Sequence, residues 1–144
     1  MIRKADINDL SILAALSAEL WPSLVAEEMN AELQMTMERE DAAFFLAFLE
    51  NKAIGFAQCG LRHDYVEGTE TSPVGYLEGI YVRESNRKLG IAGQLIAACE
   101  EWARAKGCAE FASDCEIDNK TSLGFHLKMG FKEANRIICF TKKL

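Results

Sequence analysis

The spacing of hydrophobic and polar positions changes several times along the chain, and each change marks an expected element. Residues 2 to 5 read as a short strand, and Asp6 is placed to cap a helix in which Ile7, Leu10, Leu13, Leu16 and Leu20 recur at intervals of three and four. Trp21-Pro22 ends that helix, because a residue before proline is pushed out of helical geometry. A second helix is expected over residues 24 to 39, with Val25, Met29, Leu33 and Met37 as its buried stripe. Two apolar runs follow, residues 43 to 49 and 53 to 61, and Glu50-Asn51-Lys52 between them supplies the polar turn of a hairpin. Residues 62 to 71 are polar and predict a loop.

β-Branched and aromatic residues dominate positions 76 to 82, just after the turn-forming pair Ser72-Pro73, so a central strand is expected there. Ile91, Leu95, Ala98, Cys99 and Trp102 then return to helical spacing, and Lys106-Gly107 closes that helix. Residues 109 to 116 read as the next strand. A strand, a helix and another strand give a right-handed crossover, which makes the two strands parallel neighbours. Residues 119 to 129 predict a short helix, and residues 131 to 141 alternate enough for one or two closing strands. The expected fold is an α/β domain spanning residues 1 to 144, a mixed sheet, parallel at its centre, with helices on both faces.

Composition narrows the function classes. The 144 residues are 49% hydrophobic and 26% charged, the balance of a globular protein with a core of ordinary size. No apolar run approaches membrane-spanning length, and Met1 to Asp6 is not followed by a signal-peptide core, so a cytoplasmic location is expected. The five cysteines, Cys59, Cys99, Cys108, Cys115 and Cys139, lack Cys-x-x-Cys spacing and read as small core residues in a reducing compartment rather than metal ligands. A formal net charge of −6 argues against nucleic acid and suits a cationic substrate. Glu27, Glu28, Glu32, Glu38, Glu40 and Asp41 crowd one segment, either as a solvated helix face or as an electrostatic wall for a polycation.

The candidate chemistry centres on Arg87, Lys88, Leu89, Gly90, Ile91, Ala92 and Gly93, which join the central strand to its helix. Small residues at a helix N-terminus let main-chain N–H groups converge on an anion, and Arg87 and Lys88 add positive charge. The alternative is a glycine-containing surface turn. A Walker loop requires Gly-Lys-Ser/Thr, which Ala92-Gly93-Gln94 lacks, and a Rossmann fingerprint requires Gly-x-Gly-x-x-Gly, which is also absent.

Arg87, Gly90 and Ala92 satisfy the pattern Arg/Gln-x-x-Gly-x-Gly/Ala, and in this the stretch resembles the acyl-coenzyme A loop of the GNAT acetyltransferases. Leu20-Trp21-Pro22, Ile54-Gly55-Phe56-Ala57, Arg62-His63-Asp64-Tyr65-Val66, Ser72-Pro73-Val74, Leu77-Glu78-Gly79-Ile80, Ala112-Ser113-Asp114 and Gly130-Phe131 extend the likeness to the aminoglycoside 6'-N-acetyltransferases within that family. The resemblance implies the GNAT fold, with its central parallel strands splayed at an acetyl-coenzyme A site, and a homodimer formed through terminal strands. It implies coenzyme contacts at Ile80, Tyr81 and Val82, along the 87 to 93 loop, and at Asn119 and Ser122. It implies an aminoglycoside held by Trp21, Tyr65, Glu78 and Asp114, with Asn135 standing where some relatives carry an acid. Family members commonly have a tyrosine where this chain has His126.

Acetyl transfer to an amine explains why such residues are needed. An ammonium of pKa about 10 has no lone pair, so a base must take its proton, and Glu78 and Asp114 are the candidates. The alternative for Glu78 is a purely structural pairing with Arg62 or Arg136. The thioester oxygen needs a hydrogen-bond donor as it gains charge, and a bulge at Gly79 would free an N–H near Ile80 to Val82. The departing thiolate gains from an acid, for which His126 is the candidate, on one helix face with Asn119 and Ser122. The expected function is antibiotic-modifying transfer to an aminoglycoside 6'-amine without a metal. The rivals are a GNAT enzyme acting on a polyamine or protein N-terminus, and a non-catalytic acyl-coenzyme A binding module.

Overall fold

Five strands lie side by side in chain order in a computed structural model that describes residues 1–144: β1 (Ile2–Lys4), β2 (Ala42–Leu49), β3 (Lys52–Arg62), β4 (Val74–Val82) and β5 (Phe111–Ala112). The first four pair antiparallel, and β4 pairs with β5 in parallel, as the crossover through the intervening helix requires. Helices α1 (Leu10–Leu20) and α2 (Ala26–Met37) cover one face of the sheet, and α3 (Ile91–Ala105) and α4 (Lys120–Lys128) cover the other. No helix is long and apolar enough to cross a membrane.

Strand periodicity sorts the core into two layers. Phe44, Leu46 and Phe56 pack with Leu13, Leu16, Met29 and Leu33 of α1 and α2. Their neighbours Phe45, Ala47, Ala57 and Cys59 point the other way, onto Leu95, Ile96 and Cys99 of α3. A strand covered on both faces needs an unbroken apolar sequence, which is why β2 reads Ala-Ala-Phe-Phe-Leu-Ala-Phe-Leu. Cys59 and Cys99 are buried in the α3 layer, where their mutual contact first and burial second push the Cys99 thiol up. Cys115 and Cys139, in contrast to the expected core role, are exposed.

Four expectations about elements change. The second helix begins at Ala26, and Val25 stands before it, extended and 57% exposed. The hairpin turn is only Glu50-Asn51, with φ of 49° and 65°, because a two-residue turn with positive φ at both positions matches strand twist, so Lys52 already belongs to β3. The strand expected over 109 to 116 pairs only at Phe111 and Ala112. Residues 132 to 144 form no strand and are exposed throughout, since no sheet edge of this single chain receives them.

Asp6 caps the first turn as expected, through a capping box with Asp9. Asp9 is buried and receives Arg3 in a two-pronged contact, Nη1 to Oδ2 at 2.7 Å and Nη2 to Oδ1 at 2.8 Å. The Arg3 hydrogen bonds hold the Asp9 carboxyl below its usual range, against the effect of burial. The stability this gives is complete above the unfolded carboxylate pKa of about 4 and is lost as pH falls through the lower folded value. Asp9→Asn is expected to cost about 1–3 kcal/mol near neutrality. That deficit shrinks in acid, which urea titrations at pH 7 and pH 3 would read out.

Candidate active site

The loop between β4 and α3 is built to leave amides free. After a 3-10 turn over Glu84–Asn86, Lys88 and Gly90 both take left-handed backbone angles, φ 64° and 78°, and Gly90 caps α3. The last loop bond is from Arg87 N–H to the Glu84 carbonyl, and the first helical one is from Gln94 N–H to the Gly90 carbonyl. The N–H groups of Lys88, Leu89, Gly90, Ile91, Ala92 and Gly93 therefore have no acceptor within the chain. Free amides in succession at a helix N-terminus make an anion cradle, with the helix dipole adding to it. Lys88, Leu89 and Gly90 are exposed, and nothing lies within 4 Å of where a Gly90 side chain would start. The Arg87 guanidinium is steered by one bond, Nε to the Val82 carbonyl at 2.8 Å.

The same carbonyl shows which edge of β4 is open. Arg83 N–H bonds the Ile54 carbonyl across the hairpin at 2.9 Å, so alternate residues point the opposite way. The N–H groups of Ile80 and Val82 face the edge that β5 vacates after Ala112. Tyr81 differs, its backbone being turned toward β3 and its hydroxyl donating to Glu19 Oε2 at 2.8 Å. Arg83 also grips Glu19, Nη2 to Oε1 at 2.8 Å, so the end of α1 is tied to β4.

The expected bulge is present. Cys59 pairs with Leu77 and Gln58 with Gly79, leaving Glu78 as the extra residue of β4. That insertion breaks the strict alternation that would place Tyr76, Glu78, Ile80 and Val82 on one face. Leu77, Ile80 and Val82 pack on the α3 side, whereas Tyr76 and Glu78 meet Arg62 on the other. Gly79 is needed where it stands, because a Cβ would lie 3.0 Å from the Trp21 ring. Trp21 also packs edge-on against Phe56, 6.1 Å between centroids, so it plugs the core and walls the bulge at once.

Both candidate acids already have partners. Glu78 Oε1 accepts from Arg62 Nη2 at 2.7 Å, and the guanidinium stacks 3.9 Å from the centroid of Tyr76. The structural pairing with Arg62 weighed from the sequence thus exists, while Arg136 pairs instead with Glu133. Asp114 accepts a short hydrogen bond from the Tyr76 hydroxyl. Burial first and that bond second push the Tyr76 phenol far above its usual range, so it stays a donor. Arg62 and Tyr76 bridge the two carboxylates into one cluster, at the point where β4 and β5 part. The acidic segment after α2 lies nearby, since Asp41, paired to Arg39 at 2.8 Å, accepts through its carbonyl from the N–H of Leu61, the neighbour of Arg62, at 2.9 Å.

On the other side of that fork, His126 is held at both nitrogens. Nδ1 lies 2.7 Å from the Ser122 carbonyl and Nε2 lies 2.8 Å from Ser113 Oγ. Asn119 caps α4, its side chain accepting from Ser122 N–H at 3.1 Å. Tyr65 is 75% exposed on the loop before β4. Asn135 donates to Glu67 Oε1 of that loop at 3.1 Å. Sequence pattern alone assigns no role to Tyr76 or Ser113. The available signals were that Tyr76 lies two residues before Glu78 and Ser113 lies directly before Asp114. No group of three or more His, Cys, Asp or Glu side chains is arranged to hold a metal ion.

A mixed sheet whose central parallel pair parts beside a cradle of free amides is the architecture of an acyl-transfer domain. The chain belongs to the acetyltransferase (GNAT) family, whose profile matches residues 10–131. It is 41% identical over 145 residues to the aminoglycoside N(6')-acetyltransferase type 1 of Serratia marcescens, covering 100% of this chain and 99% of that protein. The protein of the same description from Salmonella typhimurium strain LT2 is 39% identical over 142 residues, 99% and 98% of the two chains. Among solved structures, AAC(6')-Iy in complex with the bisubstrate analogue CoA-S-monomethyl-acetylneamine superposes with a TM-score of 0.96 at 39% identity, covering 100% of this chain and 98% of that one. Ligand-free AAC(6')-Ig from Acinetobacter haemolyticus gives 0.95 at 38% identity, over 100% and 99%.

Proposed function

We propose that this chain transfers the acetyl group of acetyl-coenzyme A directly to the 6'-amine of aminoglycosides. The observation that carries the reading is the full-length match, at 39% identity and a TM-score of 0.96, to an enzyme solved with an analogue that joins coenzyme A to acetylneamine. In this reading the amides of Lys88 to Gly93, with Arg87, hold the pyrophosphate. The rest of the coenzyme runs along the open edge of β4, where Ile80 and Val82 offer N–H groups to the thioester oxygen. Asn119 and Ser122 border its far side. Trp21, Tyr65, Glu78, Asp114 and Asn135 receive the sugar.

Glu78 or Asp114 takes the ammonium proton, directly or through water, after which the neutral amine attacks the thioester. No covalent enzyme intermediate is needed, because the donor is already activated and the two reactants are held together. Arg62 balances Glu78 in the unliganded cluster, and an incoming ammonium group shares or replaces it. This exchange costs little, since the pair is partly exposed. The net charge of −6 draws polycations to the site. The physiological consequence is aminoglycoside resistance in the cytoplasm.

The test is steady-state acetylation of kanamycin-type drugs and their 6'-hydroxy analogues, followed by thiol release. Turnover with the amines and none with the hydroxy analogues is expected. Equal turnover with both, or activity confined to polyamines or peptide N-termini, would reject the 6'-amine.

The terminal segment supports a homodimer. Ile137, Ile138 and Phe140 are 66%, 79% and 88% exposed in the isolated chain, and alternating residues without a sheet edge of their own suit pairing with a second copy. Burying each such side chain contributes about 1.5–3 kcal/mol. Ile138→Asp with Phe140→Asp is therefore expected to convert dimer to monomer at micromolar concentration in sedimentation velocity.

A further inference from the structure

We propose that the hydroxyl of Ser113, backed by His126, is the group that protonates the departing coenzyme A thiolate. The proposal rests on the acetyltransferase reading above and moves the acid from the histidine to the serine. Ser113 directly follows Ala112, the last residue of β5 paired to β4, and its Oγ lies 3.3 Å from the Leu77 carbonyl across the opening fork. With the Tyr76 hydroxyl committed to Asp114, Ser113 Oγ is the other hydroxyl at the fork, adjacent in sequence to Asp114 and bonded to the neighbour of Glu78. An amine delivered by those two acids must meet the thioester there, so the C–S bond breaks beside Ser113.

The imidazole behind it is fixed in one tautomer by its contacts. A carbonyl oxygen only accepts, so the 2.7 Å contact with the Ser122 carbonyl places a hydrogen on Nδ1. Nε2 is then the nitrogen that exchanges a proton, and its partner at 2.8 Å is Ser113 Oγ. Phe125 and Phe131 meet the ring edge-on, at 5.7 Å and 5.2 Å between centroids, and hold it there. With Nε2 committed to Ser113, the imidazole acts through the hydroxyl.

When the C–S bond breaks, its electron pair stays on sulfur, which takes the Ser113 proton and leaves as free thiol. Oγ recovers a proton from Nε2 of the doubly protonated ring in the same step, so no alkoxide forms. His126 becomes neutral, keeps its Nδ1 hydrogen on the Ser122 carbonyl, and takes the missing proton from water before the next turnover. While neutral, the ring accepts from Ser113. While charged, it donates to Ser113 and leaves the hydroxyl hydrogen free for the Leu77 carbonyl or for sulfur.

The test compares Ser113→Ala, Ser113→Thr and His126→Gln with the unmodified protein in single-turnover acetyl transfer, alongside acetyl-coenzyme A KM and thermal melting. Loss of a positioned acid is expected to slow transfer roughly 100-fold in Ser113→Ala, within the general-acid range of about 10²–10⁴. His126→Gln should be slowed comparably, acetyl-coenzyme A KM should stay within about twofold, and Ser113→Thr should restore most of the rate because it keeps the hydroxyl. If Ser113 merely ties β5 to α4, Ser113→Ala would lower the melting temperature and raise KM with the transfer rate unchanged, and the relay is overturned. The same conclusion follows if Ser113→Thr is as slow as Ser113→Ala at an unchanged melting temperature. Absence of turnover in the unmodified protein would instead overturn the acetyltransferase reading, and the relay with it.

Discussion

Glu78→Gln combined with Asp114→Asn is expected to lower kcat/KM for aminoglycosides by about 10³-fold or more, with acetyl-coenzyme A KM nearly unchanged. Both substitutions remove charge and proton affinity while keeping an oxygen in place. That matters at Asp114, whose carboxylate accepts from the buried Tyr76 hydroxyl. Alanine there would orphan a buried donor at a cost of about 1–3 kcal/mol and mix a folding defect into the kinetics. Glu78 is more forgiving, since its partner Arg62 is 44% exposed in its side chain and can turn to water. A melting temperature close to that of the unmodified protein is therefore expected beside the kinetic loss. Retention of full turnover would show that the proton leaves by another route.

Arg87→Ala combined with Gly90→Val is expected to weaken coenzyme A binding by about 100-fold while leaving the fold intact. Valine at φ 78° is strained by its branched side chain and costs roughly 1–2 kcal/mol to keep the left-handed turn. The loop then relaxes, and its six amides no longer converge. Removing Arg87 takes away a charge-assisted contact that contributes about 1.5–3 kcal/mol. Space is not the issue at Gly90, because nothing lies within 4 Å of its Cβ, so its share of the effect reports on backbone geometry. Isothermal titration with coenzyme A measures it directly. An unchanged affinity would mean that the cradle is not where the pyrophosphate sits.

The fold and the site were legible to different depths. Helical stripes such as Leu13 with Leu16 and Leu95 with Cys99 are local patterns, and they appear in the structure as the buried faces of α1 and α3. The alternation through Phe44, Phe45, Leu46 and Ala47 likewise divides between the two core layers. The anion loop was legible because left-handed backbone and a helix start depend on a few adjacent residues. Where strands stop pairing was not, since that is set by the partner: residues 113 to 116 leave β4 although their sequence continues as a strand would.

The sequence by itself determined the order of elements, the glycines of the cradle and the bulge, and a carboxylate on the central strand with a second in the segment after the crossover helix, because each follows from backbone geometry or side-chain period. Only the tertiary structure decided that Arg62 and Tyr76 bind those carboxylates into one cluster and that His126 reaches the fork through Ser113. These contacts join residues 13 to 38 positions apart, and their distances arise from packing strands and helices against one another, which no local spacing encodes. The terminal residues 132 to 144 mark the same boundary, since their alternation specifies a strand but not the edge that would receive it.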